Sequence, residues 1–222
     1  MNCNILSGNL VMERGKMFRT IKKDSIYEIT EKKSKFIAHL MYVENKEEAE
    51  KKIKEFKKLY HDARHNCYAY RVIDDDIIYE KSSDDGEPSG TAGAPMLNIL
   101  QKSNLCNVLA VVTRYFGGIL LGTGGLVRCY SDSTSGAIEM ANIIEVEEGT
   151  EFVVEIEYAY LDSFKYYCKK NDINVAKMEY SDIIRCKIEV KNLFLQNILN
   201  DIETKKVDVA RFKKIGTKFI YQ

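Results

Sequence analysis

The sequence is poor in the residues that break a backbone. Of 222 residues only two are proline, Pro88 and Pro95, and none is tryptophan. It also lacks an excess of charge: 33 Lys and Arg balance 33 Asp and Glu, so the formal net charge is zero. Bulk electrostatic attraction to nucleic acid needs a surplus of cations, so only a local basic patch is open to this chain. No apolar run approaches the roughly 18 residues of a membrane span, since Val108–Val112 and Ile119–Leu121 are among the longest. The six cysteines (3, 67, 106, 129, 168 and 186) form no C-x-x-C pair. No basic region followed by an apolar run opens the chain, so reduced thiols and a cytoplasmic location are expected, with no membrane partner. Residues 1–16 read as a non-native or mis-started leader, with Met17 as the expected start.

Hydrophobic periodicity divides the rest. "SIYEIT" and "KFIAHLMYV" alternate around "EKKSK" and read as two strands or one long bent one. In "NKEEAEKKIKEFKKLY" the apolar residues Ala49, Ile53, Phe56 and Tyr60 fall at helical spacing behind an Asn45/Glu48 capping box. "HNCYAYRVI" and "IIYEKSS" meet at Asp74–Asp76 as a hairpin. "NVLAVVTRYF" is continuous enough for a strand buried on both faces. "TAGAPMLNILQKS" and "LVRCYSDSTSGAIEMANI" read as helices, with "GGILLGTGG" as a loop before the second. From about residue 148 the order becomes βαββαβ, the ferredoxin-like pattern. The expected class is therefore α+β with two domains, 17–147 and 148–222.

The unusual residues concentrate in the first of these. Eight of thirteen glycines lie between Gly86 and Gly125, along with both prolines. Lysine outnumbers arginine 25 to 8 overall, yet residues 61–142 hold Arg64, Arg71, Arg114 and Arg128 against Lys81 and Lys102. A solvated face gains nothing from that exchange. A planar fork that meets a carboxylate, phosphate or ring does. Structural pairing with Asp84, Asp85 or Glu87 explains the arginines equally well.

Two segments run from loop into helix through glycine, "EPSGTAGAP" and "GGILLGTGGLVR". Helix N-termini carry unpaired N–H groups and partial positive charge, and glycine lets a ligand approach them. Tight turns and close packing use glycine in the same way, and neither segment matches a P-loop or dinucleotide fingerprint. The candidate anion or ligand site comprises Arg64, His65, Asp84, Asp85, Glu87, Ser89, Gly90, Thr91, Arg114, Gly122, Thr123, Gly124, Gly125 and Arg128. Mg²⁺ against a bound phosphate is one reading of Asp84, Asp85 and Glu87, and capping of their own loop is the favoured one. His61, His65 and Cys67 lack a fourth ligand for a metal site. No catalytic nucleophile or base is identified. Tyr68, Tyr70, Tyr115, Phe116 and Tyr130 interleave with the arginines and serve either base stacking or the core.

"ARHNCYAYR", "DDGEPSGTAGAP" and "RYFGGILLGTGGLVRCY", in this order, closely resemble the signature of the YigZ/IMPACT family. Cys129 departs from the alanine usual there. The resemblance covers nearly the whole chain from Met17. It implies a first domain like domain IV of elongation factor G and the GHMP kinases, and a second like domain V of elongation factor G. Eukaryotic IMPACT is a translational regulator, whereas the bacterial relatives have no established enzymatic activity. Three functions are thus carried forward. The first is binding of RNA, ribosome or a translation-related protein through the arginine and aromatic face and the open C-terminal sheet. The second is an enzyme, or relic of one, acting on a phosphorylated small molecule. The third is a protein-interaction module.

Overall fold

The computed structural model describes residues 5–6, 9–11, 17–74 and 77–221. Eleven of the sixteen residues of the leader reading thus lie outside the described residues, as do two residues of the Asp74–Asp76 turn. In chain order the elements are β1 (Ile5–Leu6), β2 (Asn9–Val11), β3 (Phe18–Ile21), β4 (Ser25–Glu31), β5 (Ser34–Tyr42), α1 (Lys46–Leu59), β6 (His65–Asp74), β7 (Ile77–Ser83), α2 (Gly93–Lys102), β8 (Val108–Tyr115) and α3 (Gly122–Met140). They are followed by β9 (Ile143–Ile156), α4 (Leu161–Lys170), β10 (Asn174–Glu179), β11 (Ile184–Lys191), α5 (Asn192–Glu203) and β12 (Arg211–Tyr221). The class is α+β. Two compact units divide between Glu145 and Val146. That point falls inside β9, which runs through residues 147–150 without a loop.

The first unit is built on a sheet of order β1-β2-β7-β6-β8-β5-β4. Its central strands β6 and β8 are buried along nearly their whole length, as their unbroken apolar runs require. On one face Ala69, Ala110 and Val112 pack with Met96 and Leu100 of α2 and with Leu126, Tyr130 and Ala137 of α3. On the other, Tyr68, Tyr70, Leu109 and Val111 pack against Ala49 and Ile53 of α1. Burying a side chain of this size contributes roughly 1.5–3 kcal/mol, and these two layers fix where the loops at the sheet ends must sit.

Local chemistry sets the ends of the elements. At α1 the Asn45 side chain accepts from Glu48 N–H (2.9 Å), and Glu48 reaches back to Glu44 N–H (2.7 Å), one residue before the cap. Between β4 and β5 the strands turn at Lys32 and Lys33, at φ 45° and 66°, where two left-handed residues match strand twist. Gly117 is packed on that turn, and a Cβ there would lie 2.1 Å from the Lys33 carbonyl carbon. No other residue fits at this position.

The second unit is a βαββαβ arrangement with antiparallel strand order β10-β11-β9-β12. Phe152, Val154, Ile156, Ile184, Cys186 and Ile188 form the buried sheet face and pack with Phe164, Cys168 and Ile198 of its helices. The sheet is the ferredoxin-like one.

Candidate functional site

The loop between β7 and α2 is organised by one carboxylate. Asp84 Oδ1 accepts from Ala92 and Gly93 N–H (2.9 and 2.8 Å), and Oδ2 from Gly90 N–H (2.8 Å). Burial raises the Asp84 pKa, but these three donors outweigh it and hold the carboxyl below its ordinary value. The α2 N-terminus is therefore occupied by a side chain of its own chain and is not an open anion site. Thr91 is equally engaged, its hydroxyl donating to Pro88 C=O at 2.6 Å. Asp85, at φ 43°, accepts from Asn66 N–H (2.8 Å) and from Lys57 Nζ. Its carbonyl accepts from His65 Nδ1 (2.8 Å), which places the His65 proton on Nδ1 and leaves Nε2 facing inward. The loop acids thus turn and cap the loop. Among the described residues no three His, Cys, Asp or Glu side chains converge as metal ligands.

The buried end of this loop is Glu87. Its Oε1 accepts from Arg114 Nη1 at 2.6 Å and from Tyr130 Oη–H at 2.9 Å, and lies 3.9 Å from His65 Nε2. Arg114 is 5% exposed and its guanidinium sits over the rings of Phe36 (5.4 Å) and Phe116 (5.6 Å). Glu87 thus compensates a charge that burial would otherwise penalise. The compensation is incomplete, because Arg114 Nε has no hydrogen-bond partner among the described residues. Beneath Tyr130, Cys67 donates to Asp84 C=O (2.9 Å). Burial pushes its thiol up to about 12 and also raises the Tyr130 phenol. Neither group is a poised nucleophile.

Above this cluster the two glycine segments meet. Arg64, His65, Gly86, Glu87, Pro88 and Arg114 on one side and Phe116, Leu120, Leu121, Gly122, Thr123 and Leu126 on the other line a cleft of about 430 Å³. Arg64 is exposed, stands 5.7 Å over the Phe116 ring, and ion-pairs with no carboxylate among the described residues. α3 begins at Gly122, earlier than "LVRCY" suggested, so the second half of "GGILLGTGG" is helix. Its N-terminus has no side-chain cap and no acid in the first turn. Leu120 is 82% exposed at the rim.

Of the fourteen candidate residues the cleft thus gathers Arg64, His65, Glu87, Arg114, Gly122 and Thr123. Asp84, Asp85, Gly90 and Thr91 hold the loop from behind. Ser89 is exposed and does not line the cleft, and Gly124 and Gly125 continue the first turn of α3. Arg128 also lies outside the cleft, on the surface beside Glu31 at 3.3 Å. Arg71 is structural, bonded to Glu80 (2.7 Å) and Leu105 C=O (2.9 Å). The leucines of the cleft wall were missed from sequence. Their signal was present, since Ile-Leu-Leu between two glycine pairs is an apolar run inside a loop.

The open face of the second unit's sheet is of another kind. Arg185 and Arg211 meet Glu155, Lys187 meets Glu151, and Lys218 meets Glu151 and Glu189. These cations are already paired with acids on the same face.

Residues 32–138 match the Impact N-terminal domain. IMPACT family member YvyE of Bacillus subtilis is 38% identical over 172 residues, 78% of this chain and 79% of that protein. The chain belongs to the IMPACT family. A protein IMPACT homolog of Dictyostelium discoideum is 47% identical over 98 residues, 42% of this chain and 28% of that protein. A crystal structure of a hypothetical protein matches with TM-score 0.58 at 28% identity, covering 90% of this chain and 97% of that one. The matched IMPACT domain holds every residue of the cleft. No described helix is long and apolar enough to cross a membrane.

Proposed function

We propose that this IMPACT family member is an RNA-binding protein linked to translation or its regulation, and that the cleft of the first unit is its binding site. The observation that carries the reading is the pairing of Arg64, exposed and without a carboxylate partner among the described residues, with the exposed ring of Phe116 and the uncapped start of α3. A cation and helix N–H groups suit a phosphate, and an aromatic face beside them suits a base. The link to translation comes from the resemblance to eukaryotic IMPACT. The enzyme reading has weaker support, since the loop acids hold their own loop and Cys67 is a buried, protonated thiol.

The test is fluorescence anisotropy of labelled single-stranded RNA against the purified chain, with ribosome co-sedimentation alongside. Arg64→Ala is expected to weaken binding several-fold, and Arg128→Ala, outside the cleft, to leave it nearly unchanged. Absence of salt-dependent binding to RNA and to ribosomes refutes the reading. Capture of one defined protein that survives nuclease treatment would favour the interaction-module alternative.

A further inference from the structure

The cleft is small for a strand. Surfaces that bind single strands follow the backbone over about 4–16 nucleotides. A volume of about 430 Å³ lies near the lower end of the roughly 300–1,000 Å³ of small-molecule pockets, and holds about one nucleotide. Its walls are of two kinds. Phe116, Leu120 and Leu121 offer apolar surface, and Arg64, Arg114 and the first turn of α3 offer positive charge.

The charge balance sets the anion. Arg64 and Arg114 contribute two positive charges and Glu87 one negative. The start of α3 adds a partial positive charge of roughly one half, with no acidic residue in its first turn to offset it. Glu87 is already committed to Arg114 and Tyr130 through one oxygen, so it lowers the field without closing the site. The excess exceeds what one internal phosphodiester neutralises, whereas a phosphate monoester carries about −1.5 to −2. Arg114 lines the cleft at 5% exposure and is held in place by Glu87, so its charge is fixed at the cleft wall.

We propose that the cleft recognises a single nucleotide bearing a terminal phosphate monoester, its phosphate on Arg64 and the α3 N-terminus and its base against Phe116 and the leucine wall. This rests on the RNA-binding reading for its source, a phosphorylated RNA end, while a free nucleoside monophosphate presents the same chemistry. An internal strand segment presents neither the charge nor the end that would fit.

The experiment measures anisotropy of one single-stranded RNA in three forms: 5′-phosphorylated, 3′-phosphorylated and hydroxyl at both ends. Thermal shift with nucleoside monophosphates and with inorganic phosphate runs in parallel. One phosphorylated end is expected to bind at least tenfold tighter than the hydroxyl-ended RNA. Arg64→Ala, an exposed position whose loss leaves the core intact, is expected to bring that ratio near one, and Arg114→Lys to reduce it. If all three RNAs bind equally, end recognition is overturned while RNA binding stands. A thermal shift by nucleoside monophosphates with no RNA binding keeps the nucleotide site and removes the RNA reading. A shift by inorganic phosphate alone, or by nothing, overturns the proposal.

Discussion

Asp84→Ala removes three hydrogen bonds at a single point. The carboxylate accepts from Gly90, Ala92 and Gly93, and those N–H groups bridge the loop to the first turn of α2. A lost N-cap costs roughly 0.5–2 kcal/mol, and bonds to a charged acceptor are worth roughly 1.5–3 kcal/mol each without being additive. Gly90 is exposed and regains water, which lowers the sum. The expected loss is about 3 kcal/mol. Asp84→Asn keeps the two bonds to Oδ1 in weaker neutral form and is expected to cost about 1 kcal/mol. Hydrogen exchange at β6 and β8 reads the stability of the first unit by itself.

The pH dependence follows from the lowered carboxyl. Its folded pKa lies below the unfolded value, so its stabilisation is complete above the unfolded pKa of about 3.9 and is lost as pH falls through the folded one. The gap between wild type and Asp84→Ala is therefore expected to be constant from pH 7 to 5 and to shrink as pH falls from 5 to 3. A gap under about 0.5 kcal/mol at pH 7, within the range of ordinary surface substitutions, would refute the reasoning. So would a gap that stays constant or widens between pH 5 and 3.

Other substitutions probe neighbouring statements. Glu87→Ala leaves Arg114 buried beside no counter-charge and is expected to destabilise the first unit by about 3–5 kcal/mol in urea unfolding, with Glu87→Gln milder. Gly124→Ala meets nothing within 4 Å at a helical position, so it is expected to stabilise by up to about 1 kcal/mol in the same assay. Gly117→Ala, 2.1 Å from the Lys33 carbonyl carbon, is expected to abolish soluble expression of the folded unit. Cys67 is expected to resist thiol labelling at pH 8 until the protein unfolds, since burial holds its thiol near 12.

Much of the fold is legible because its signals are local. Alternation, helical spacing and the Asn45/Glu48 pair name most elements within a few residues, and the βαββαβ order of the second unit carries its strand order with it. The errors have physical causes. α3 starts before "LVRCY" because Gly122, Gly124 and Gly125, which read as loop, sit in its first turn: Gly122 stands at φ 73°, which glycine adopts freely, and a Cβ at Gly125 would lie 3.2 Å from Leu121 Cβ. The division near 147–150 is not among these errors, since the two units part between Glu145 and Val146, inside a continuous strand. For the site, the sequence marks which segments are special and not which atoms are engaged. Asp84 and Glu87 look alike in "DDGEP", yet one holds a helix end and the other a buried arginine. Arg114 and Arg128 look alike too, and only tertiary packing puts one at the cleft and the other beside Glu31.

The central claim is that Arg64 in this cleft meets a nucleic-acid phosphate. The most direct measurement is the salt dependence of RNA affinity for wild type and Arg64→Ala, from about 50 to 200 mM salt. The account predicts weaker binding by the variant and a slope of log K against log salt shallower by about 0.7–1, the loss of one phosphate contact. Equal affinity and an equal slope in the two proteins would contradict it.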